Sequence, residues 1–330
     1  MTIARKAATS IGSFSCDSLI PAFLDAACTE KDAFARIRNM QWVHADAGVI
    51  FGAMRLAGTW NPAEIDDAKR TRAFAALDAA YAAGIQVFDH ADIYARGGCE
   101  TLHGEYLRMH PARRTETILL NKCGIRHDPH RYDFSREHIL ESVEAARERM
   151  GVDSFDLWQL HRPDYLMDPR DVAFAFDELA DRGWVSEFAV SNFRPSQVRA
   201  LEQSLSAPLV AHQFEFSLLH LQPLEDGTLD QCLEMRIAPL IWGPLAGGRL
   251  GQLATDHPLR VELARVAESE GISEAAAAIA WVRTHPARPI PIFGTMTPER
   301  IGEFASERDR TLNREDWYRL LVAARGENLP

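Results

Sequence analysis

The chain has 330 residues, 46% hydrophobic and 25% charged, enough apolar material for a full core in one large domain or two average ones. Its 47 acidic and 36 basic side chains leave a net charge of −11, which argues against nucleic acid or an anionic membrane surface as the main partner. The five cysteines, Cys16, Cys28, Cys99, Cys123 and Cys232, form no CxxC pair, and no stretch has the length or apolarity of a signal peptide or membrane span, so the expectation is a protein of the reducing cytoplasm without a disulfide framework or zinc site.

Residues 1–45 lack the regular pattern of the remaining chain and are set apart as an N-terminal extension, in which Leu24, Ala27 and Phe34 keep helical spacing between Ile20 and Ile37. From Val49 onward, apolar runs alternate with amphipathic ones. Strands are expected at Val49 to Met54, Gln86 to His90, Thr117 to Cys123, Phe155 to His161, Glu187 to Ser191, Leu209 to Phe214, Ala238 to Trp242 and Ile290 to Phe293. Helices are expected at Arg70 to Ala83, Glu100 to Met109, Ser135 to Met150, Pro169 to Arg182 and Pro195 to Ser204. Two more, Pro258 to Glu270 and Glu274 to His285, precede the last strand, and a final one runs from Asn313 to Arg325. Strands at βα-unit spacing predict an α/β fold, a (β/α)8 TIM barrel over residues 46–330 that includes the C-terminal helix. The alternative, a doubly wound sheet, would carry a GxGxxG after its first strand, and this sequence has none.

A barrel delivers its strand C-termini to one face, where such folds hold their chemistry. Asp89 ends the second strand in Phe88-Asp89-His90-Ala91-Asp92-Ile93-Tyr94, Lys122 the third in Leu119-Leu120-Asn121-Lys122-Cys123-Gly124, and His161 the fourth in Trp158-Gln159-Leu160-His161. Taken singly, each has a plain structural reading: a capping Asp, a packing Tyr94, a solvated Lys, a core His. Their coincidence in register favours a site, because clustered ionisable groups perturb one another. A free phenol titrates at about 10. An ammonium at Lys122 is expected to lower the Tyr94 value, with Asp89 keeping the Lys charged and placed. Tyr94 then serves as general acid and His161 as a second donor to the same oxygen, a pocket suited to carbonyl reduction.

In these contexts Asp89, Tyr94, Lys122 and His161 resemble the catalytic tetrad of the aldo-keto reductases, NADPH-dependent enzymes on a β/α barrel. The likeness runs from about Val49 to the C-terminus. It includes Phe188-Ala189-Val190-Ser191-Asn192-Phe193, Gln213 with Glu215, Ile241-Trp242-Gly243-Pro244-Leu245-Ala246-Gly247-Gly248, and Pro291-Ile292-Phe293-Gly294-Thr295 followed by Pro298-Glu299-Arg300-Ile301.

Hydride transfer needs a group that side chains lack, so a nicotinamide is expected. Trp242 offers a face for stacking it, or else packs in the core; Ser191, Asn192 and Gln213 offer groups for its carboxamide, or else simple strand-end hydrogen bonds. The loop from Leu245 to Arg249, with Gly247, suits a pyrophosphate. Resemblance implies that Thr295 and Arg300 hold the 2′-phosphate of the adenosine and that Glu303 faces adenine, with a surface helix residue as the other reading of Arg300. Gly243 stands where many members have Ser, Gly294 where many have Lys, and Phe304 where many have Asn, so NADPH is expected with NADH as the alternative. On the substrate side, Met54 and Trp60 are candidates for an apolar pocket that takes a small carbonyl compound. Arg55 is expected in a structural ion pair, with an anionic substrate as its other reading, and His90 in packing on the opposite face of its strand. Two rivals remain: a metal-dependent barrel hydrolase using Asp89, His161 and His212, and a nucleotide-binding regulatory protein with little turnover. No metal is expected, and the oligomeric state stays open.

Overall fold

The computed structural model describes residues 48–329. The extension expected over residues 1–45, with its helical spacing, lies outside them. Strands β1 (Ile50–Gly52), β2 (Val87–Asp89), β3 (Ile118–Cys123), β6 (Phe155–Leu160), β7 (Val185–Ser191), β8 (Ala211–Glu215), β9 (Ala238–Trp242) and β10 (Ile290–Phe293) form a closed barrel, ordered β1-β10-β9-β8-β7-β6-β3-β2. Every pairing around the ring is parallel. This is the (β/α)8 architecture expected from the sequence. Strand β1 is shorter than its apolar run because the chain turns into a 3-10 segment at Ala53–Arg55. A small antiparallel hairpin, β4 (Ile125–His127) with β5 (His130–Tyr132), follows β3; its residues lack apolar alternation, and the sequence did not reveal it.

The helices of eight residues or more are α1 (Asp67–Ala82), α2 (Gly98–Met109), α3 (Arg136–Met150), α4 (Pro169–Asp181), α5 (Pro195–Glu202), α6 (Thr228–Met235), α7 (Pro258–Glu270), α8 (Glu274–Arg283), α9 (Pro298–Ser306) and α10 (Arg314–Arg325). Capping fixes several of their starts. Side chains of Asp66, Ser135, Asp168, Ser273 and Asn313 accept the backbone N–H groups that the first turn leaves unpaired. The short α6 was not expected, since its eight residues are too few for a periodic signal. Among the described residues no helix is long and apolar enough to cross a membrane.

Alternation along each strand splits the apolar residues into two layers. Ile50, Val87, Leu120, Leu157, Ala189, Ala211, Leu240 and Ile292 fill the lumen, and all are buried. The intervening residues face the helices: Phe51 packs against Phe88 and Phe293, Phe293 against Phe304 on α9, and Phe188 stacks on Phe176 of α4 at 3.9 Å. Each such aromatic or aliphatic residue contributes roughly 1.5–3 kcal/mol when fully buried. The outer layer therefore fixes strand register and, through it, which polar side chains enter the lumen.

One helix contact is close enough to forbid a side chain. Helix α2 begins directly behind the loop that carries Tyr94, and its Gly104 lies against the last residue of α3, where an added Cβ would come within 2.6 Å of the Met150 Cα. In an open helix Gly→Ala stabilises by about 1 kcal/mol. Here the backbone of α3 blocks it. Gly104→Ala should instead destabilise by about 1–3 kcal/mol, as overpacking does; equilibrium urea unfolding checks the sign, and a gain in stability would show that the two helices can part freely.

Candidate active site

Asp89 ends β2 with its side chain in the lumen, and Lys122 of β3 donates from Nζ to both of its carboxylate oxygens at 2.7 Å. Both are buried, Lys122 at 0% exposure and Asp89 at 2%. Two amides complete the arrangement: Gln159 Nε2 of β6 and Gln213 Nε2 of β8 donate to Asp89 Oδ1 at 3.2 and 2.9 Å. Gln159 was missed in the sequence, although its place two residues before His161 puts it on the same strand face. Gln213, expected at the nicotinamide carboxamide, also donates an amide N–H to Asp89.

Tyr94 rides on the loop above. The Asp92 amide donates to the Lys122 carbonyl at 3.0 Å and the Tyr94 amide to the Ala91 carbonyl at 3.0 Å, which ties the loop to the end of β3. The Tyr94 ring centroid lies 5.4 Å from Lys122 Nζ and meets the His161 ring edge-on at 6.1 Å. His161 is held by its own amide, which donates to the Cys123 carbonyl at 3.0 Å. The four residues singled out in the sequence therefore converge at one barrel mouth.

Their electrostatics differ from expectation at one point. Lys122 turns its ammonium to Asp89, and burial, with the Asp89 charge second, raises the Tyr94 phenol well above its ordinary value. The anticipated lowering by Lys122 is absent, because loss of water outweighs an ammonium already satisfied by a carboxylate. Arg162 is the group that pulls the phenol down, and it does so less than burial pushes it up. Burial likewise lowers Lys122 against the opposing pull of Asp89, and it lowers His161 well below the imidazole range. So the phenol and a neutral imidazole face the mouth together as hydrogen-bond donors at neutral pH.

Behind the strands lies a polar layer that the sequence did not announce. Glu100 of α2 is fully buried; it accepts from Asn121 Nδ2 at 2.7 Å and pairs with Arg149 of α3. Asp92 sits beside this pair, and burial together with the Glu100 charge pushes its carboxyl from 3.8 to about 8. His90 faces outward, as expected, but it hydrogen-bonds rather than merely packs. Its Nε2 lies 2.9 Å from His103 Nδ1, and His103 Nε2 lies 3.1 Å from the Tyr81 hydroxyl.

The groups expected around a nicotinamide also lie together. Trp242 Nε1 donates to Asn192 Oδ1 at 2.9 Å, and Asn192 Nδ2 donates to Ser191 Oγ and the His161 carbonyl at 2.7 and 3.0 Å. Arg162, another residue the sequence did not single out, holds its guanidinium 5.7 Å from the Trp242 ring centroid. Beyond Trp242, Gly243 turns at φ 65°, and the loop through Leu245 to Arg249 comes next. Gly247 and Gly248 have φ of 68° and 96°, and a Cβ on either would meet nothing within 4 Å, so the loop presents bare backbone to open space. Arg249 donates to the Ala246 carbonyl at 3.0 Å and approaches Glu215 at 3.8 Å. Gly294 and Thr295 lead from β10 into α9, where Arg300 has no ion-pair partner among the described residues, while Glu303 accepts from Ser273 Oγ. An open glycine loop, an unpaired Arg and a helix N-terminus fit a dinucleotide phosphate set.

On the substrate side Trp60 lines a cavity with Ile93 and Arg96, the neighbours of Tyr94. Met54 is 43% exposed on the same strand-end loop and is not part of that lining. Arg55 has no ion pair among the described residues, contrary to expectation; its backbone carbonyl accepts from Arg72. The hydrolase alternative needed Asp89, His161 and His212 on one side, and alternation along β8 puts His212 on the outer face with Phe214, its ring 5.0 Å away.

With this fold and geometry, comparison with known proteins becomes specific. The Aldo/keto reductase family profile matches residues 48–322. The chain belongs to that family and is an oxidoreductase of the nicotinamide-dependent type. Among curated relatives, the 6-dehydroglucose reductase of Novosphingobium aromaticivorans is 41% identical over 283 residues, spanning 83% of this chain and 92% of the relative. The solved glycerol dehydrogenase of Gluconobacter oxydans superposes with a TM-score of 0.76 at 21% identity, covering 86% of this chain and 94% of that one. An aldo/keto reductase from Klebsiella pneumoniae, solved in complex with NADP and acetate, gives 0.70 at 22% identity over 83% and 89% of the two chains.

The Asp92 shift carries a stability consequence with a definite sign. Between about pH 4 and 8 the folded chain keeps a proton on Asp92 that the unfolded chain releases, so this stabilisation is full below the unfolded value and is lost as pH rises through about 8. Asp92→Asn stays neutral throughout. Its stability relative to the parent should improve by at least about 1 kcal/mol from pH 5 to pH 9, measured by denaturant unfolding at both values; a pH-independent difference would mean that Asp92 is ionised in the fold.

Proposed function

We propose that this protein reduces an aldehyde or ketone to the alcohol at the expense of NADPH, with Tyr94 as the general acid. The convergence of Tyr94, His161 and the Asp89–Lys122 pair beside Trp242 carries this reading. A bound dihydronicotinamide supplies the hydride. The chain's own residues do the rest. Tyr94 and His161 donate hydrogen bonds to the carbonyl oxygen, and Tyr94 delivers its proton as negative charge develops there. Burial keeps the phenol protonated until that moment. Lys122, fixed by Asp89, stands close enough to stabilise the phenolate left behind, and Gln159 and Gln213 act as positioning residues that hold the Asp89 carboxylate.

Trp242, with Asn192 holding its ring, provides the stacking face, and Ser191, Asn192 and Gln213 bound the carboxamide position. Gly243, Leu245, Gly247 and Arg249 border the pyrophosphate. Thr295 and Arg300, at the loop and first turn leading into α9, offer the adenosine 2′-phosphate a hydroxyl and an uncommitted guanidinium, which favours NADPH over NADH; Gly294 and Glu303 flank them. Support for an aldehyde substrate comes from the 41% identical relative, whose name denotes reduction of an oxidised sugar.

Tyr94→Phe should leave NADPH binding, followed by quenching of protein fluorescence, nearly unchanged, and should cut steady-state reduction of a carbonyl panel by at least about a hundredfold. Turnover within tenfold of the parent would remove Tyr94 from the proposed role. Separately, Arg300→Ala should weaken NADPH by about tenfold or more, the worth of a charge-assisted hydrogen bond, and leave NADH almost unaffected. Equal weakening of both cofactors in the same titration would place Arg300 away from the 2′-phosphate.

A further inference from the structure

A cavity lined by Ile93 and Arg96, from the loop that carries Tyr94, holds a cation that the reduction itself does not use. Trp60, Asn61, Pro62, Ile93, Arg96 and His127 enclose about 660 Å3. Despite the net charge of −11, no carboxylate pairs with Arg96 among the described residues. Several other arginines are matched, although Arg55 and Arg162 have no ion pair among the described residues. Arg126 and Arg131 reach Asp133 at 3.2 and 3.9 Å, Arg70 reaches Glu105 at 2.9 Å, and Arg149 pairs with Glu100. Nearby carboxylates are committed as well: Glu64 accepts from Thr59 Oγ1 and Asn61 Nδ2, and Asp133 from Ser135 Oγ.

Backbone geometry supplies an independent observation. Ala95 and Arg96 stand at φ 49° and 51°, consecutive left-handed residues that each bear a Cβ, where glycine would adopt the turn without strain. The Arg96 amide is tied to the Ile93 carbonyl at 3.0 Å. A long cationic side chain kept on strained backbone at the edge of a site points to a use for that side chain.

Resting on the reductase reading above, we propose that Arg96 is a specificity residue, and that the preferred substrates are carbonyl compounds bearing a carboxylate remote from the reacting carbon. Trp60 and Ile93 supply apolar walls for the intervening skeleton, and the guanidinium fork matches a planar carboxylate. Asn61 and His127 add polar groups beside it. The one guanidinium in the lining, without an ion pair among the described residues, suits a single carboxylate.

The test compares kcat/KM for 4-carboxybenzaldehyde and its uncharged methyl ester, methyl 4-formylbenzoate, with NADPH, in the parent and in Arg96→Gln, Arg96→Lys and Arg96→Gly. The parent should favour the carboxylate by about tenfold to a hundredfold, the worth of a hydrogen bond to a charged group. In Arg96→Gln the ratio should fall to near one, with the loss in KM for the carboxylate rather than in kcat, and Arg96→Lys should recover part of it. Arg96→Gly should lose the preference while melting no lower than the parent, which separates recognition from folding. Equal ratios in parent and Arg96→Gln would overturn the inference and leave the reductase reading intact. The same holds if plain benzaldehyde is reduced and the carboxylate is not. Failure to reduce any of the three aldehydes would count against both.

Discussion

The Asp89–Lys122 ion pair in the barrel lumen is the constraint on which the rest of the site depends. Removing two charges from water costs several kcal/mol per ion, and only close geometry with further hydrogen bonds offsets it. Here the carboxylate takes Lys122 on both oxygens and two glutamine amides on one of them, drawn from β3, β6 and β8. Four strands must hold register for those groups to meet. A slip of one residue in any of them would send its polar side chain to the outer face. Fold and site are thus secured by the same alternation.

Around that pair, protonation is governed more by water exclusion than by the nearest charge. Tyr94, Lys122 and His161 all shift in the direction burial dictates, against or beyond the effect of their neighbours. A lysine with its own carboxylate has little left to offer a phenol in the resting state. An ammonium attracts a phenolate more strongly than a phenol, so its pull would grow if the phenol lost its proton. Buried Glu100 and Asn121, with half-buried Arg149 and Asp92, support this from behind, fixing α2 and α3 to β3.

The two sides of the mouth are built on different physics. On the proposed dinucleotide side lie bare backbone at Gly247 and Gly248, a helix start at Pro298 and Arg300, which has no ion pair among the described residues, features that favour phosphate whatever the rest of the ligand is. The opposite side relies on side chains in loops, Trp60 after β1 and Arg96 after β2, with His127 from the hairpin. Loop side chains of that kind are where a shared barrel acquires its own substrate range.

By itself the sequence determined the eight strands, the barrel and the candidates Asp89, Tyr94, Lys122 and His161, because parallel strands carry continuous apolar runs and polar groups at strand ends interrupt them abruptly. It also marked His90 as facing away from Asp89, since alternation is a property of the local chain. Only the tertiary structure decided that Gln159 and Gln213 serve Asp89, that Asp92 is held protonated near Glu100, that burial raises Tyr94 where a neighbouring Lys had suggested lowering, and that Arg55 and Arg96 go without carboxylate partners among the described residues. Those outcomes turn on distances and water exclusion between residues far apart in the chain, such as the 124 positions that separate Gln213 from Asp89, and one-dimensional spacing carries no record of them.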